Sequence, residues 1–201
     1  MSDMRYPEKM DLMARSAFRD VYPAVAGQIR ARSGISGGIC VDIGAGPASL
    51  AIAMAKISDL RLYTLDISHE TNMIAKKNIE AESMAGRIIQ VRGDVHRMPF
   101  RGHMADLVIS RGSMFFWSDR VKAFREIRRI LKAGGCAYIG GGLGDPGSKK
   151  HVAETLSGDT SLHNGWHRKK ISADELRSDL YNANIDDYEL IDDGSGLWVI
   201  I

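Results

Sequence analysis

The chain has 201 residues, a formal net charge of +2, and 44% apolar against 26% charged residues. That length supports one domain with a full-sized core, and the composition is ordinary for a soluble globular protein. So small a net charge excludes a strong field that would draw in nucleic acid. No apolar run is long enough to span a membrane, and the N-terminus lacks the apolar stretch of a signal peptide. The expected location is therefore cytoplasmic, with no membrane partner. Cys40 and Cys136 fall in apolar, strand-like runs and read as buried, reduced thiols.

Residues 1–35 carry apolar side chains at helical spacing: Met10, Met13, Ala14, Ala17, Phe18 and Val21. They predict one or two helices packed over the strand ends, placed to act as a lid. Gly38 to Asp42 reads as a first strand, and Ala48 to Ser58 as the helix after it. Arg61 to Asp66 is a second strand. Ser68 can cap a helix that runs to about Ala85. Arg87 to Arg92 and Ala105 to Ser110 are the third and fourth strands. Val121, Phe124, Ile127, Ile130 and Leu131 mark a helix, which Gly134-Gly135 is expected to stop. Cys136 to Ile139 is a fifth strand, followed by a glycine-rich loop from Gly140 to Gly147. Ser172 and Glu175 form a capping box that opens a helix to about Asn182. Asp187 to Ile191 and Leu197 to Ile201 are two strands joined by Asp192-Asp193-Gly194-Ser195-Gly196, a hairpin connection. Alternating strands and helices imply a mainly parallel, doubly wound sheet with helices on both faces, finished here by an antiparallel pair.

The chemistry concentrates at Val41-Asp42-Ile43-Gly44-Ala45-Gly46-Pro47-Ala48-Ser49, a strand, a glycine turn and a helix start. Glycines there let a backbone approach a nucleotide-like ligand closely. A dinucleotide would set its pyrophosphate at the following helix N-terminus, where Asp42 would repel it. The third glycine of the dinucleotide fingerprint would fall at position 49, which is Ser49. Asp42 suits instead a ligand with a cationic group at the turn, such as the ammonium of S-adenosylmethionine. Asp66 ends the second strand twenty residues after Gly46, where a carboxylate can accept both ribose hydroxyl protons. It could alternatively cap the next helix.

These motifs, in this order, resemble the class I S-adenosylmethionine-dependent methyltransferases over roughly Ile39 to Gly142. The resemblance implies a Rossmann-like fold with a seven-stranded sheet and S-adenosyl-L-methionine as cofactor. It implies that Asp42 and the backbone of Gly44, Ala45 and Gly46 hold the methionine portion, and that Ile67 packs on the adenine. Gly93-Asp94-Val95 resembles the segment that reads adenine: Asp94 would accept from the exocyclic amine and Val95 would supply apolar contact. The plain alternative for Asp94 is a turn residue. Ala105 to Ser110 resembles the motif whose end, at Ser110, faces the methyl group. Asp106 is expected to be structural.

The acceptor side is less specific. Ser110-Arg111-Gly112-Ser113-Met114-Phe115-Phe116-Trp117 lacks the Asn-Pro-Pro-Tyr pattern of amino-group enzymes that act on nucleic acids or glutamine. Its aromatics read as core under the next helix, or as one ring lining an acceptor pocket. Arg111 could bind an acidic acceptor or the cofactor carboxylate, or simply pair with a neighbouring acid. Tyr22 could close over the methionine portion or merely pack. His163 and His167 stand four apart, but Gly165 weakens the helix and no further ligand sits beside them, so no metal site is expected. His167 remains a candidate base beside Arg111 for any acceptor that must lose a proton. The basic runs at 149–151 and 168–170 read as solvated faces or as anion contacts.

The sequence thus predicts one methyltransferase domain over 1–201. It divides into an N-terminal helical lid (1–35), a cofactor-binding core (38–142), a substrate-side insertion (143–171) and a helix with a strand hairpin (172–201). The expected acceptor is a small molecule, with no nucleic acid. A nucleic-acid or protein methyltransferase, a non-catalytic S-adenosylmethionine-binding protein and a nicotinamide oxidoreductase are the alternatives.

Overall fold

The structure is a computed structural model and describes residues 5–143, Val152 and 171–201. Seven strands form one sheet in the order β3-β2-β1-β4-β5-β7-β6. They are β1 (Ile39–Ile43), β2 (Arg61–Asp66), β3 (Ile88–Arg92), β4 (Ala105–Arg111), β5 (Leu131–Gly142), β6 (Glu189–Asp193) and β7 (Gly196–Ile200). The first five run parallel, while β7 lies antiparallel to both β5 and β6.

The helices are α1 (Tyr6–Arg15), α2 (Val21–Ser33), α3 (Ser49–Lys56), α4 (His69–Ala81), α5 (Arg120–Ile130) and α6 (Ala173–Asn182). Strand alternation sorts the core into two layers. Cys40, Leu62, Leu107, Ile109, Tyr138 and Trp198 point to the side of α1 to α4. Val41, Ile43, Leu65, Val108, Ile139 and Val199 point to the side of α5 and α6. Fully buried Val25, Ala26 and Ile29 make α2 part of the first layer, while α1 buries only Met13 and Ala14.

Local chemistry sets the element ends. The Ser68 side chain accepts from Thr71 N at 3.1 Å and starts α4. Asp119 accepts from Lys122 N at 2.9 Å and starts α5. Ser172 and Glu175 form the expected reciprocal box at α6.

Three expectations are corrected. Gly134-Gly135 does not stop the fifth helix: α5 ends at Ile130, and Leu131 is already extended. The glycines sit in a bulge of β5, where Leu131 pairs with Ala105 and Cys136 pairs with Leu107. Gly134 is left-handed there (φ 73°), and a Cβ on Gly135 would press on the Asp106 and Ala105 carbonyls at 3.0 and 3.1 Å. The helix expected to reach Ala85 ends at Ala81, with Ser83 left-handed. Gly140 to Gly142 belong to β5 rather than to a loop. A Cβ on Gly140 would lie 2.2 Å from the Leu197 carbonyl oxygen, so glycine lets β7 bring Trp198 in close. Asp106 is structural as expected: it accepts from Ile39 N at 2.7 Å and pairs with Lys132 Nζ at 2.8 Å.

Candidate cofactor and acceptor site

The sheet order turns back between β1 and β4, and a crevice forms outside the carboxyl ends of the strands at that point. A cavity of about 660 Å³ opens there. Its walls come from the ends of β1, β2 and β4, from the turn after β3, and from α1 and α2 at the rim.

The glycine turn is tied to the next strand. Gly44 N and Ala45 N both donate to the Leu65 carbonyl, at 2.7 and 3.1 Å. Gly44 and Gly46 are left-handed (φ 62° and 56°) for different reasons. A Cβ on Gly44 would lie 2.3 Å from Ser113 Cβ, so this glycine admits the loop after β4. A Cβ on Gly46 would meet nothing within 4 Å, and Gly46 lines the cavity. The second glycine is therefore where a ligand can meet bare backbone. Ser113 Oγ donates to the Ile43 carbonyl at 3.1 Å and shares a 2.6 Å bond with Ser110 Oγ, fixing the two loops together.

Asp66 is a pre-set acceptor. Its Oδ2 accepts from Gly46 N and its Oδ1 from Ser68 N, both at 3.0 Å. Each oxygen keeps a lone pair for a ligand, and the two bonds fix the carboxylate's orientation at the cavity wall. Ile67 beside it is 65% exposed, an apolar side chain open to the same space. In the turn after β3, Asp94 Oδ1 accepts from His96 N at 2.9 Å and from His96 Nδ1 at 2.6 Å. These bonds hold its carboxyl below the ordinary carboxylate range. His96 Nε2 accepts from Asp119 N at 3.3 Å, which puts the proton on Nδ1 and links the β3 turn to α5. Val95 supplies apolar wall.

At the end of β4, Arg111 lies against two rings. Its guanidinium carbon is 4.8 Å from the Phe18 ring centre and 5.0 Å from that of Tyr22. Its Nε donates to the Gly142 carbonyl at 2.9 Å. Burial lowers its pKa from the ordinary value, and the Tyr22 hydroxyl opposes that. Tyr22 itself lines the cavity. So do Tyr6, Pro7 and Met10 of α1, and Phe116 and Trp117 of the β4–α5 connection. Asn78, 7% exposed, secures α1 below this rim. It donates to Asp11 Oδ1 at 2.7 Å and to the Pro47 carbonyl at 3.0 Å, and it accepts from Arg15.

Of the residues expected from sequence, Tyr22, Gly44, Gly46, Asp66, Ile67, Asp94, Val95 and Arg111 come together on this cavity. Asp42 is not among the residues that line it. Strand alternation turns its side chain into the layer of Cys40, where it is 1% exposed and its Oδ2 has no partner. Burial pushes its carboxyl up to about 8, the Ala51 backbone amide opposes this, and the Asp66 charge adds to it. Ser110 is fully buried behind Ser113, and Ala45 spends its amide on Leu65. His167, His163 and both basic runs lie outside the described residues. The sequence reading missed Tyr6, Met10, His96 and Ser113. For His96 the signal was its spacing two residues after Asp94; for Ser113 it was a small hydroxyl residue just beyond a strand end. Phe115 and Trp117 pack against the core, Phe116 is 57% exposed, and Phe116 and Trp117 line the cavity.

This donor set fits an adenosyl ligand with a charged amino-acid tail: two fixed carboxylates, apolar Ile67 and Val95, an open glycine backbone and one cation. A family model for a methyltransferase domain matches residues 41–139. A solved structure from Methanococcus maripaludis, described as a candidate S-adenosyl-L-methionine-dependent methyltransferase, superposes with a TM-score of 0.91. It is 41% identical over 100% of this chain and 96% of its own. The demethylmenaquinone methyltransferase of Chlorobaculum parvum is 32% identical over 49% of this chain and 39% of its own length. The chloroplastic 2-methyl-6-phytyl-1,4-hydroquinone methyltransferase of Spinacia oleracea is 31% identical over 50% and 28% respectively. The matched region thus spans well under half the length of these two curated relatives. The fold and the cavity define a nucleoside-binding α/β protein of the doubly wound type. The chain belongs to the class I S-adenosylmethionine-dependent methyltransferases, whose cofactor is S-adenosyl-L-methionine.

Proposed function

We propose that this protein transfers the methyl group of S-adenosylmethionine to a small-molecule acceptor bound at the same cavity. One observation carries the reading: Asp94, Asp66, Gly46 and Arg111 lie in that order along neighbouring strand ends of a single cavity. Asp66 would accept the ribose hydroxyls, Asp94 the adenine amine, and Ile67 and Val95 would cover the ring. The cofactor supplies a methyl group already activated on a sulfonium.

The chain's own work is then to exclude water and to align the acceptor. Tyr6, Met10, Phe116 and Trp117 line the cavity and would give the acceptor space apolar walls. That supports a small, partly apolar acceptor, as do the small-molecule substrates in the names of the relatives. We assign α1 as the lid, because α2 is built into the core. A general base is required only for an acceptor that must lose a proton.

The test is calorimetric titration of cofactor-stripped protein with S-adenosylmethionine, with NADH as control, on wild type and Asp66→Ala. Binding of the methyl donor alone, weakened by about 1–3 kcal/mol in the variant, is expected because charge-assisted hydrogen bonds are lost. Binding of NADH instead, or an unchanged affinity in the variant, would overturn the reading.

A further inference from the structure

We propose that Arg111 is the receptor for the α-carboxylate of the cofactor's methionine portion, so that it positions the donor rather than acting on the acceptor. This rests on reading the cavity as an S-adenosylmethionine site. The argument is one of order along the sheet edge. The strands run β3-β2-β1-β4, each about 4.8 Å from the next. Adenine at Asp94 and ribose at Asp66 occupy the first two. The rest of an extended ligand must then continue across the glycine turn of β1 towards β4.

The register brings Arg111 to that place. Asp42 of β1 pairs with Ile109 of β4, so Arg111 stands level with Gly44. There the guanidinium is already oriented. The rings of Phe18 and Tyr22 fix its plane, and its Nε is spent on the Gly142 carbonyl. The Tyr22 hydroxyl takes a further guanidinium hydrogen bond, and the remaining N–H groups of the two terminal nitrogens form the fork that matches a carboxylate. Among the described residues no acid is paired with Arg111, and the group that offsets its burial is the Tyr22 phenol. Without a counter-ion among the described residues, this desolvated cation on a cavity wall calls for an anion from the ligand. The methionine carboxylate is the anion that this order of groups delivers.

The test compares two ligands that differ only by that carboxylate: S-adenosylhomocysteine and its decarboxylated form, S-adenosyl-3-thiopropylamine. Calorimetry on wild type should show a preference of about 30-fold for the carboxylated ligand, the size of a paired charge. In Arg111→Met the preference should fall to within about 3-fold of parity, with affinity for the decarboxylated ligand nearly unchanged. Arg111→Lys keeps the charge without the fork and should fall between. Failure to bind either ligand would bring down the site reading itself, and the proposal with it. A wild type that binds both ligands equally overturns only the carboxylate assignment, whatever the variants do. So does an Arg111→Met protein that keeps the full preference. Should Arg111→Met fail to fold, the wild-type preference and its reduction in Arg111→Lys decide.

Discussion

Asp42→Asn isolates one buried carboxyl group from everything else in the molecule. Asp42 is 1% exposed, its Oδ2 lacks a partner, and the charge of Asp66 acts on it. Its carboxyl is therefore raised from 3.8 to about 8. Below the lower value the folded and unfolded chains both carry the proton, and the group costs nothing. Between the two values the unfolded chain ionises while the folded one does not. Rising pH then favours the unfolded state, and the penalty is complete above about 8. At ~1.4 kcal/mol per unit, the ceiling at neutral pH is about 4 kcal/mol. Relaxation reduces it, and buried polar groups of this kind cost about 1–3 kcal/mol in proteins.

Asparagine keeps the shape and never ionises. It also stands opposite Thr64 in the β1–β2 register, whose buried hydroxyl is without a partner and can accept from an amide. The variant should match wild type near pH 4 and exceed it by about 1–3 kcal/mol near pH 8. Urea denaturation of both proteins, followed by circular dichroism across that range, measures the difference and cancels the titrating groups that do not interact with Asp42. A difference that does not change with pH, or a wild type that is the more stable at high pH, would refute the argument. Asp42 would then be ionised and satisfied in the folded protein.

The two glycines of the turn should part company. Gly44→Ala puts a methyl group into Ser113 and should lower the melting temperature sharply. Gly46→Ala costs about 1–2 kcal/mol of left-handed strain but places its methyl in the cavity, so cofactor affinity should fall by about tenfold or more with the fold intact. Wild-type affinity in that variant would mean that no ligand approaches the turn. Asn78→Ala leaves the Pro47 carbonyl and the Asp11–Arg15 pair without their shared partner. It should cost about 1–3 kcal/mol and speed proteolysis within α1. Unchanged cleavage would show that Met13 and Ala14 alone hold that helix.

The order of strands and helices was legible in the sequence because apolar period and capping residues act locally. Arg61 to Asp66 is a strand to the residue, and Ser68, Ser172 and Glu175 cap the helices they were expected to cap. The proposed cofactor side of the cavity was legible for the same reason. Gly46, Asp66 and Asp94 sit at strand ends, and parallel strands bring their ends to one edge whatever fills the core.

Three things depended on tertiary packing. Gly134-Gly135 reads locally as a helix stop, yet the pairing of β5 with β4 makes it a bulge. Asp42 lies in the most recognisable motif, but strand alternation and the cover of α3 turn it away from the cavity. The cavity rim joins residues distant in sequence, Tyr6 and Met10 with Phe116 and Trp117, and Arg111 with Phe18 and Tyr22. Periodicity fixes which face of an element is apolar. It does not fix which distant face will meet it, and that meeting makes the rim of this cavity and clamps its cation.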